Sequence, residues 1–522
     1  MEVIIRNLLV PVEKDAPHEY RKAASVVIGC QEEQVTISEI LGKSLDTRDK
    51  RQFYYDVSLV VTITDPWDNP NKLPMYSPPS FPVKTHVQSV ERPIIIGSGP
   101  AGLFAALELI EYGIKPIIFE RGEKIEKRDE DVQRFINQKV LNTESNIQFG
   151  EGGAGTYSDG KLFSRVNNSR YAHKVLDTFI AFGAPEEIAY VSKPHLGTDV
   201  LCTIVRNMRE YILDKGGEIY YGAKMTDLIM SNQKAAGVII NNEREYFSST
   251  VYLAIGHSAR DTFEMLYKKG VLMEQKPISI GVRIEHPVED INRLRYGDFY
   301  KNFPGLGAAS YSFTFTDRIK QRGVYTFCMC PGGEIVNASS QDGLLVLNGM
   351  SYSHRSSAFS NGAIVVTVHT DHYPSSDPLA GIEFQKDIER KAFAAGGATW
   401  AAPAQNLHDY LSGTYSSHLN RTSFKMGVAS ADLREIFPEF VNEALCCAFA
   451  QWKQESSLFV SHQALLLAAE TRTSCPLRIK RNTNCESVNI SNLFAIGEGS
   501  GYTGGITSSA SDAIKAVECR WG

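Results

Sequence analysis

The sequence predicts an α/β fold of several domains, in which one nucleotide-binding domain is assembled from two separated parts of the chain. The 522 residues exceed what one hydrophobic core supports. A strand of isoleucines runs directly into the glycine-rich turn GSGPAG at 97–102. Glycine-rich sequence of this kind returns only near the C-terminus, and the strand-like texture between the two parts indicates an inserted α+β domain.

The first element is a small module over residues 1–64. Its segments EVIIRNLLV, HEYRKAASVVIG, QVTISEIL and FYYDVSLVVTIT read as strand, helix, strand and strand. This βαββ order favours a ferredoxin-like module that serves packing or dimerisation. The next segment, 65–85, is dense in Pro, Asn, Asp and Ser and is predicted to be a linker. We expect the nucleotide-binding domain to comprise 86–265 and 455–522, and the inserted substrate domain to comprise 266–454.

Charge and composition exclude several classes of protein. The formal net charge of −6 offers no general attraction for a phosphate backbone, so we expect no nucleic-acid partner. No apolar run approaches the roughly 20 residues of a membrane span, and no signal peptide is evident, which predicts a cytoplasmic protein. The nine cysteines lack zinc-ligand spacing, so we expect reduced thiols and no metal.

The glycine-rich turn has the GxGxxG spacing of a dinucleotide site. Gly97 permits the tight turn, Gly99 lets the backbone approach a pyrophosphate, and Gly102 lets the helix pack close to the strand. The start of that helix offers N–H groups to the phosphates. Glu120 ends the next strand, where we expect its carboxylate to accept hydrogen bonds from an adenosine ribose. The same site is predicted to include Ser98, Pro100, Ala101 and Arg121.

Three segments carry a family resemblance. GSGPAG followed by FERG, VYLAIGHSARD at 251–261 and NLFAIGEGSGYTGGITSSASDAIKA at 492–516 occur in the order found in FAD-binding flavoproteins. The chain resembles the superfamily that includes relatives of glutathione reductase and p-hydroxybenzoate hydroxylase. The resemblance implies FAD as cofactor and a Rossmann-like FAD-binding domain of the three-layer ββα type. Two positions depart from the superfamily pattern, Ile255 in place of a threonine and Glu498 in place of an aspartate.

The resemblance also implies further cofactor contacts. Ala254 and Gly256 fall near the adenine half of FAD, and Gly497 and Glu498 near its ribityl chain. The glycine-rich segment FGEGGAGTYSDGKL at 149–162 falls where related proteins pack a loop on the flavin. Backbone N–H groups at the start of the last helix would stabilise negative charge on the reduced flavin. These two segments contribute the candidates Gly152, Gly153, Ser158, Lys161, Gly504, Gly505 and Ile506.

The segments FGEGGAGTYSDGKL, CMCPGGEIVNASS, AAPAQNL, ETRTSCPLRI and GEGSGYTGGI follow one another in the chain. In this order, and over essentially its whole length, the chain resembles a bacterial family of uncharacterised FAD-dependent dehydrogenases. We expect hydride transfer between a small-molecule substrate and flavin N5. The sequence shows no second dinucleotide-binding domain of the kind that disulfide reductases carry for NAD(P)H, so NAD(P)H would bind only transiently. An NAD(P)H-reduced flavin reductase or monooxygenase and a flavin-binding redox sensor or scaffold remain as alternatives. A homodimer or a protein electron acceptor is also left open.

Three residues are candidates for catalysis, each with a structural alternative. Arg472 in ETRTSC would bind an anionic substrate or a flavin carbonyl, or form an ion pair between two elements. Cys330 and Cys328 in CMC would share one face of a strand and meet the substrate together, or act as small buried apolar residues. His354 would act as a general base or lie in a solvated loop.

Overall fold

The computed structural model describes residues 1–64, 67–78, 84–87, 91–162 and 169–522. The chain opens with a three-stranded antiparallel sheet in the order β1–β3–β2, packed against one helix. The predicted βαββ order is present, but the described residues before the next strand contain no second helix or fourth strand of a complete ferredoxin-like fold. The elements are β1 (Glu2–Pro11), α1 (Pro17–Ile28), β2 (Val35–Asp46) and β3 (Tyr54–Ile63).

The segment predicted to be a linker is partly anchored. The Ile4 amide donates to the Pro74 carbonyl at 2.8 Å, and Val3 pairs with Met75, so this part of 65–85 lies along β1. Residues 65–66 and 79–83 of the linker lie outside the described residues, as do 88–90 and 163–168 of the predicted nucleotide-binding domain.

A five-stranded parallel sheet forms the second unit, in the order β22–β10–β4–β5–β6. Its central strands β4 and β10 are apolar on both faces because both faces are covered. Ile95 packs against a layer of helices, whereas Ile94 and Ile96 pack against an antiparallel sheet in the order β7–β8–β9. The strands are β4 (Ile94–Ile96), β5 (Ile117–Phe119), β6 (Glu218–Tyr220), β7 (Met225–Ser231), β8 (Lys234–Ile240), β9 (Arg244–Phe247), β10 (Val251–Leu253) and β22 (Leu493–Ala495). The helices are α2 (Pro100–Glu111), α3 (Ile125–Gln138), α4 (Arg170–Ala181), α5 (Thr198–Asp214), α6 (Arg260–Lys268) and α11 (Ile506–Trp521).

A seven-stranded mixed sheet forms the third unit, in the order β13–β14–β17–β12–β20–β18–β19. Its strands are β12 (Ile278–Pro287), β13 (Thr314–Asp317), β14 (Arg322–Cys330), β17 (Phe359–Val368), β18 (Ala402–Asn406), β19 (Val428–Ser430) and β20 (Leu465–Glu470). Two short pairs accompany it, β11 (Met273–Gln275) with β21 (Leu477–Ile479) and β15 (Glu334–Asn337) with β16 (Leu347–Met350). Its helices are α7 (Val288–Tyr296), α8 (Ala380–Ala395), α9 (Leu407–Ser412) and α10 (Glu439–Glu455).

The connection between the second and third units differs from the expected boundary at 455. β20 pairs with β12 and β18, so the seven-stranded sheet continues to Glu470 before the chain returns to the parallel sheet at β22. The sequence assigns β20 to the nucleotide-binding part, whereas β20 belongs to the seven-stranded sheet. Nothing in a short apolar strand indicates which sheet the strand joins. None of the helices in the described ranges is long and apolar enough to cross a membrane.

Candidate functional site

A cavity of about 820 Å³ lies at the carboxyl ends of β4 and β10, where open α/β sheets bind their ligands. Residues of the parallel sheet line one side, and residues of β14 and β20 from the seven-stranded sheet line another. Most of the cofactor candidates from the sequence come together on its wall. They are Gly97, Gly99, Pro100, Ala101, Glu120, Arg121, Gly153, Ser158, Lys161, Ala254, Gly256, Glu498, Gly504, Gly505 and Ile506.

The glycine turn has the close backbone packing that its sequence predicts. A Cβ on Gly102 would stand 1.9 Å from the Gly97 carbonyl oxygen, and one on Gly97 would stand 2.4 Å from the Ala254 carbonyl oxygen. A Cβ on Gly99 would meet only the Cα of Gly153, at 3.7 Å. Gly97 and Gly102 are therefore required for the fold, whereas Gly99 keeps a place on the cavity wall open.

Four of the predicted cofactor residues do not line the cavity. The Ser98 carbonyl accepts from the Gly152 amide at 2.9 Å, which fastens the turn to the neighbouring loop. The Gly497 amide donates to Asp512 at 2.9 Å, and Gly102 faces the turn. These four residues therefore support the cavity wall without lining it; they are Ser98, Gly102, Gly152 and Gly497.

Both carboxylate oxygens of Glu120 accept hydrogen bonds from the protein itself. One carboxylate oxygen accepts from the amide and hydroxyl of Ser98 at 2.8 and 2.9 Å. The other accepts from the amides of Gly122 and Gly150 at 2.9 and 3.0 Å. Four donors occupy the acceptor positions of this carboxylate, which joins the glycine turn to the 150 loop, so a ribose hydroxyl would have to share or displace one of them.

Arg128 holds the same loop from its buried side. Its guanidinium donates to the carbonyls of Asn146, Ile147 and Glu151 at 2.9, 2.9 and 2.6 Å. Burial lowers the pKa of Arg128, and the three carbonyl dipoles stabilise its positive charge in place of water. No pattern in the sequence indicates this role, because an arginine in an amphipathic helix ordinarily faces solvent.

The start of α11 faces the cavity as predicted. Gly505, at φ +91°, precedes the first helical residue, Ile506, and both line the wall. The Thr507 hydroxyl donates to the Leu162 carbonyl at 2.8 Å, which places Lys161 beside this helix end. Lys161 lines the wall and pairs with Asp159 at 2.9 Å. A helix N-terminus and a lysine together favour negative charge in this part of the cavity.

Arg472 reaches the cavity wall, but its guanidinium is engaged from within the protein. It donates to both oxygens of Glu389 on α8, at 3.1 and 3.0 Å, and to Ser340 at 2.8 Å. Arg260 binds the same carboxylate through two nitrogens at 2.8 Å. Burial opposes ionisation, but the two guanidinium groups hold the pKa of Glu389 well below its usual range. This is the ion pair that the sequence left as an alternative, made with Glu389.

The other two catalytic candidates lie elsewhere than expected. His354 is exposed and is not part of the cavity wall. Cys330 is fully buried, and Cys328 lines the wall in its place. The assumption of a regular strand is wrong here, because β14 and β17 shift register between Phe327 and Cys330 and Cys328 has φ +43°. The break gives the two thiols different environments.

Glu470 is a wall residue that the sequence analysis did not assign to the site. It ends β20 and pairs with the buried guanidinium of Arg283 on β12 at 3.0 Å. Burial outweighs this partner and raises the pKa of Glu470 to about 7. Lys276, Tyr325 and Asn348 also line the cavity without having been predicted. Glu470 lies two residues before Arg472 in ETRTSC, but only the register of the sheet turns its side chain to the cavity.

We expect Glu470 to titrate near neutral pH. It should be protonated below about pH 6 and ionised above about pH 8, because its raised folded pKa keeps a proton that the unfolded chain has already lost. The same shift makes its contribution to stability decline as pH rises from the unfolded toward the folded pKa. An infrared difference spectrum across this range should show a carboxyl band that is absent in Glu470→Gln. An unchanged spectrum in the variant would contradict the assignment.

The site fits the cofactor that the sequence resemblance implies. Its volume lies within the range of ligand and cofactor pockets. One part of the wall offers the open glycine backbone at Gly99 and Gly153, and another offers the start of α11 beside Lys161. Phosphates and a reducible ring both require such N–H groups and cations. No cluster of metal-ligand type occurs among the residues that the structure describes.

Comparisons with known proteins match the same two regions. A family model described as "FAD-dependent protein, C-terminal domain-like" matches 277–473, and one described as "FAD binding domain" matches 92–130. The first match spans the seven-stranded sheet through β20. An "Uncharacterized protein" of Clostridium beijerinckii is 45% identical over 439 residues, which cover 84% of this chain and 82% of the relative.

Similar solved structures are distant. CtdE in complex with FAD has a TM-score of 0.34 and 12% identity, covering 82% of this chain and 83% of that one. The tetracycline destructase Tet(51) has a TM-score of 0.34 and 10% identity, covering 83% and 81%. The flavin-dependent brominase Bmp2 has a TM-score of 0.35 and 13% identity, covering 81% and 76%. Similarity at this level supports no inference about the reaction.

Proposed function

Because the chain belongs to a bacterial family of FAD-dependent proteins, we propose that it is an oxidoreductase in which a small molecule exchanges a hydride with the flavin. FAD is its cofactor. The observation that carries the proposal is a single cavity shared by the glycine turn and by side chains of the seven-stranded sheet. Cofactor and substrate can therefore meet without any rearrangement of the two sheets.

Two parts of the wall would hold FAD. The backbone at Gly99 and Gly153 would receive the pyrophosphate, since no side chain stands there. Gly504, Gly505 and Ile506 would face the flavin at the start of α11. Bound FAD supplies two-electron redox chemistry at flavin N5.

The remaining wall supplies substrate contacts. Lys161 would bind an anionic or carbonyl oxygen, because the residue lines the wall and, among the described residues, its charge is shared only with Asp159. Glu470 would hold a proton on its carboxyl group near neutral pH and pass it to or from a substrate atom. Phe327 and Ile278 exclude water from the same region.

The proposal includes a division of labour among the three units. The part of the chain around the parallel sheet would be the FAD-binding domain of the three-layer type, and the seven-stranded sheet would be the substrate domain. The N-terminal module would serve packing or dimerisation. We further propose that the protein acts in the cytoplasm.

An anaerobic visible spectrum of the purified protein tests the proposal, with the released cofactor identified by mass. We expect an FAD spectrum that NADH and NADPH leave oxidised and that an oxidisable metabolite bleaches. Bleaching by NADH or NADPH would instead favour the reductase or monooxygenase alternative. Flavin that is reduced without turnover, while the affinity for a partner changes, would favour the sensor. Failure of the protein to take up FAD after reconstitution would contradict all three.

A further inference from the structure

Cys328 occupies an unusual place on the cavity wall. It lies at the break in β14, where the pairing with β17 shifts between Phe327 and Cys330. Its φ of +43° is in the left-handed region, which non-glycine residues seldom adopt. Such strain concentrates at functional sites. The break presents the Cys328 side chain to the cavity and leaves Cys330 buried behind it.

Charged groups surround this cysteine from several elements. Arg283 on β12 donates to the Cys328 carbonyl at 3.0 Å and approaches the Cys330 sulfur at 3.9 Å. Lys161 lines the same cavity, paired with Asp159 at 2.9 Å. Glu470 on β20 completes the set and is itself paired with Arg283. Two cations therefore face the thiol pair, and each has a carboxylate partner.

The electrostatics of the pair separate the two thiols. The adjacent Cys330 thiol lowers the pKa of Cys328, and Lys161 and Arg283 lower it further against the opposing effects of burial and of Asp159. The neighbouring Cys328 thiol, together with burial, raises the pKa of Cys330, whose own thiol donates to the Cys328 carbonyl at 3.5 Å. The direction is that expected for a thiolate with a thiol donor beside it.

We propose that Cys328 is a nucleophilic thiolate site that captures a small conjugated carbonyl compound in the cavity. The sulfur electron pair forms the new S–C bond at the β-carbon. The π pair of the C=C bond moves to the carbonyl oxygen, where Lys161 stabilises the negative charge. The proton of Glu470 then goes to the α-carbon. No oxidant or reductant is consumed, and the product is a thioether.

This inference deepens the proposed function, because it names the class of molecule that the cavity accepts beside FAD. It does not depend on turnover. Alkylation of Cys328 can be measured in protein with or without FAD, so a failed cofactor assignment and an unreactive cysteine give different results.

N-Ethylmaleimide, itself a conjugated carbonyl compound, is the probe. The full-length protein is treated between about pH 5.5 and 7.5, and adducts are located by mass spectrometry with fragmentation between Cys328 and Cys330. An ordinary thiol reacts about tenfold faster per pH unit in this range, since only the thiolate attacks. We expect the rate at Cys328 to change by less than about threefold over the whole range. Cys447 and Cys519, which are exposed, provide reference rates in the same sample.

Variants separate a thiolate site from simple accessibility. Lys161→Met should make the pH dependence at Cys328 steeper than in the unmodified protein, whereas Lys161→Arg should keep the flat profile because the cation remains. Bound FAD should leave Cys328 open to alkylation with the same flat profile, because the proposed capture takes place beside the cofactor. The proposal is overturned if Cys328 stays unmodified while the reference thiols react, or if its rate rises with pH as steeply as theirs.

Discussion

Gly99→Leu is expected to give a folded protein that no longer holds FAD. A Cβ at this position has only one neighbour within 4 Å, the Gly153 Cα at 3.7 Å, so the fold can accept a side chain. The added atoms would enter the cavity where the backbone must approach the pyrophosphate. We expect FAD affinity to fall by about 100-fold or more, which corresponds to about 2.7 kcal/mol. Cofactor content after purification and a fluorescence titration with FAD measure it.

Two other glycines provide the controls for this variant. Gly305 has open space around its Cβ position, so Gly305→Leu should retain both the fold and FAD. Gly102→Ala should instead destabilise the protein, because the new Cβ would stand 1.9 Å from the Gly97 carbonyl oxygen and α2 would have to move. Retention of stoichiometric FAD by Gly99→Leu would refute the assignment of the pyrophosphate to this turn.

Glu389→Gln is expected to cause the largest loss of stability. The substitution keeps the shape of the side chain but leaves the guanidinium groups of Arg260 and Arg472 buried without their shared counter-charge. Removing one partner from a buried ion pair typically costs about 3–5 kcal/mol. Because Arg260 begins α6 and Arg472 follows β20, the loss should loosen the contact between their units. Urea unfolding followed by circular dichroism measures the change.

Glu383→Gln is the matched control on the same helix. Glu383 pairs with Lys386, and 56% of its side chain is exposed, so its replacement should change stability by less than about 0.5 kcal/mol. The comparison also decides the role of Arg472. If Glu389→Gln is as stable as the control, the charge of Arg472 is not neutralised within the protein and stays available for an anionic substrate.

The sequence predicted the parts of the site that depend on local backbone rules. Spacing alone assigned the glycines of the turn between β4 and α2, which are Gly97, Gly99 and Gly102. A tight dinucleotide-binding turn needs glycine at these positions. The glycines before α11 could be assigned for the same reason. Residues whose role depends on a distant partner could not: Glu120 was expected to bind ribose, and only the approach of Gly150 shows that its carboxylate is already filled.

The candidates for catalysis show the same division. Arg472 was selected for its position in ETRTSC, but its partner Glu389 lies 83 residues away on α8. A regular strand would turn Cys328 and Cys330 to the same face, but the shift in register brings Cys328 to the wall and leaves Cys330 buried. Glu470 faces the cavity only because β20 pairs with β12.

By itself the sequence determined where the glycine-rich turn after β4 lies and that a second glycine-rich segment precedes the last helix. The conformational freedom of the glycines and the apolar strand before each turn depend on residues that are neighbours in the sequence. Both can therefore be predicted before the fold is known. Tertiary structure alone decided which carboxylates are filled, which arginine is neutralised, and which thiol meets the cavity. Those outcomes depend on charges and backbone groups that are far apart in the sequence. Their interactions become strong only when folding brings the groups together and removes them from water.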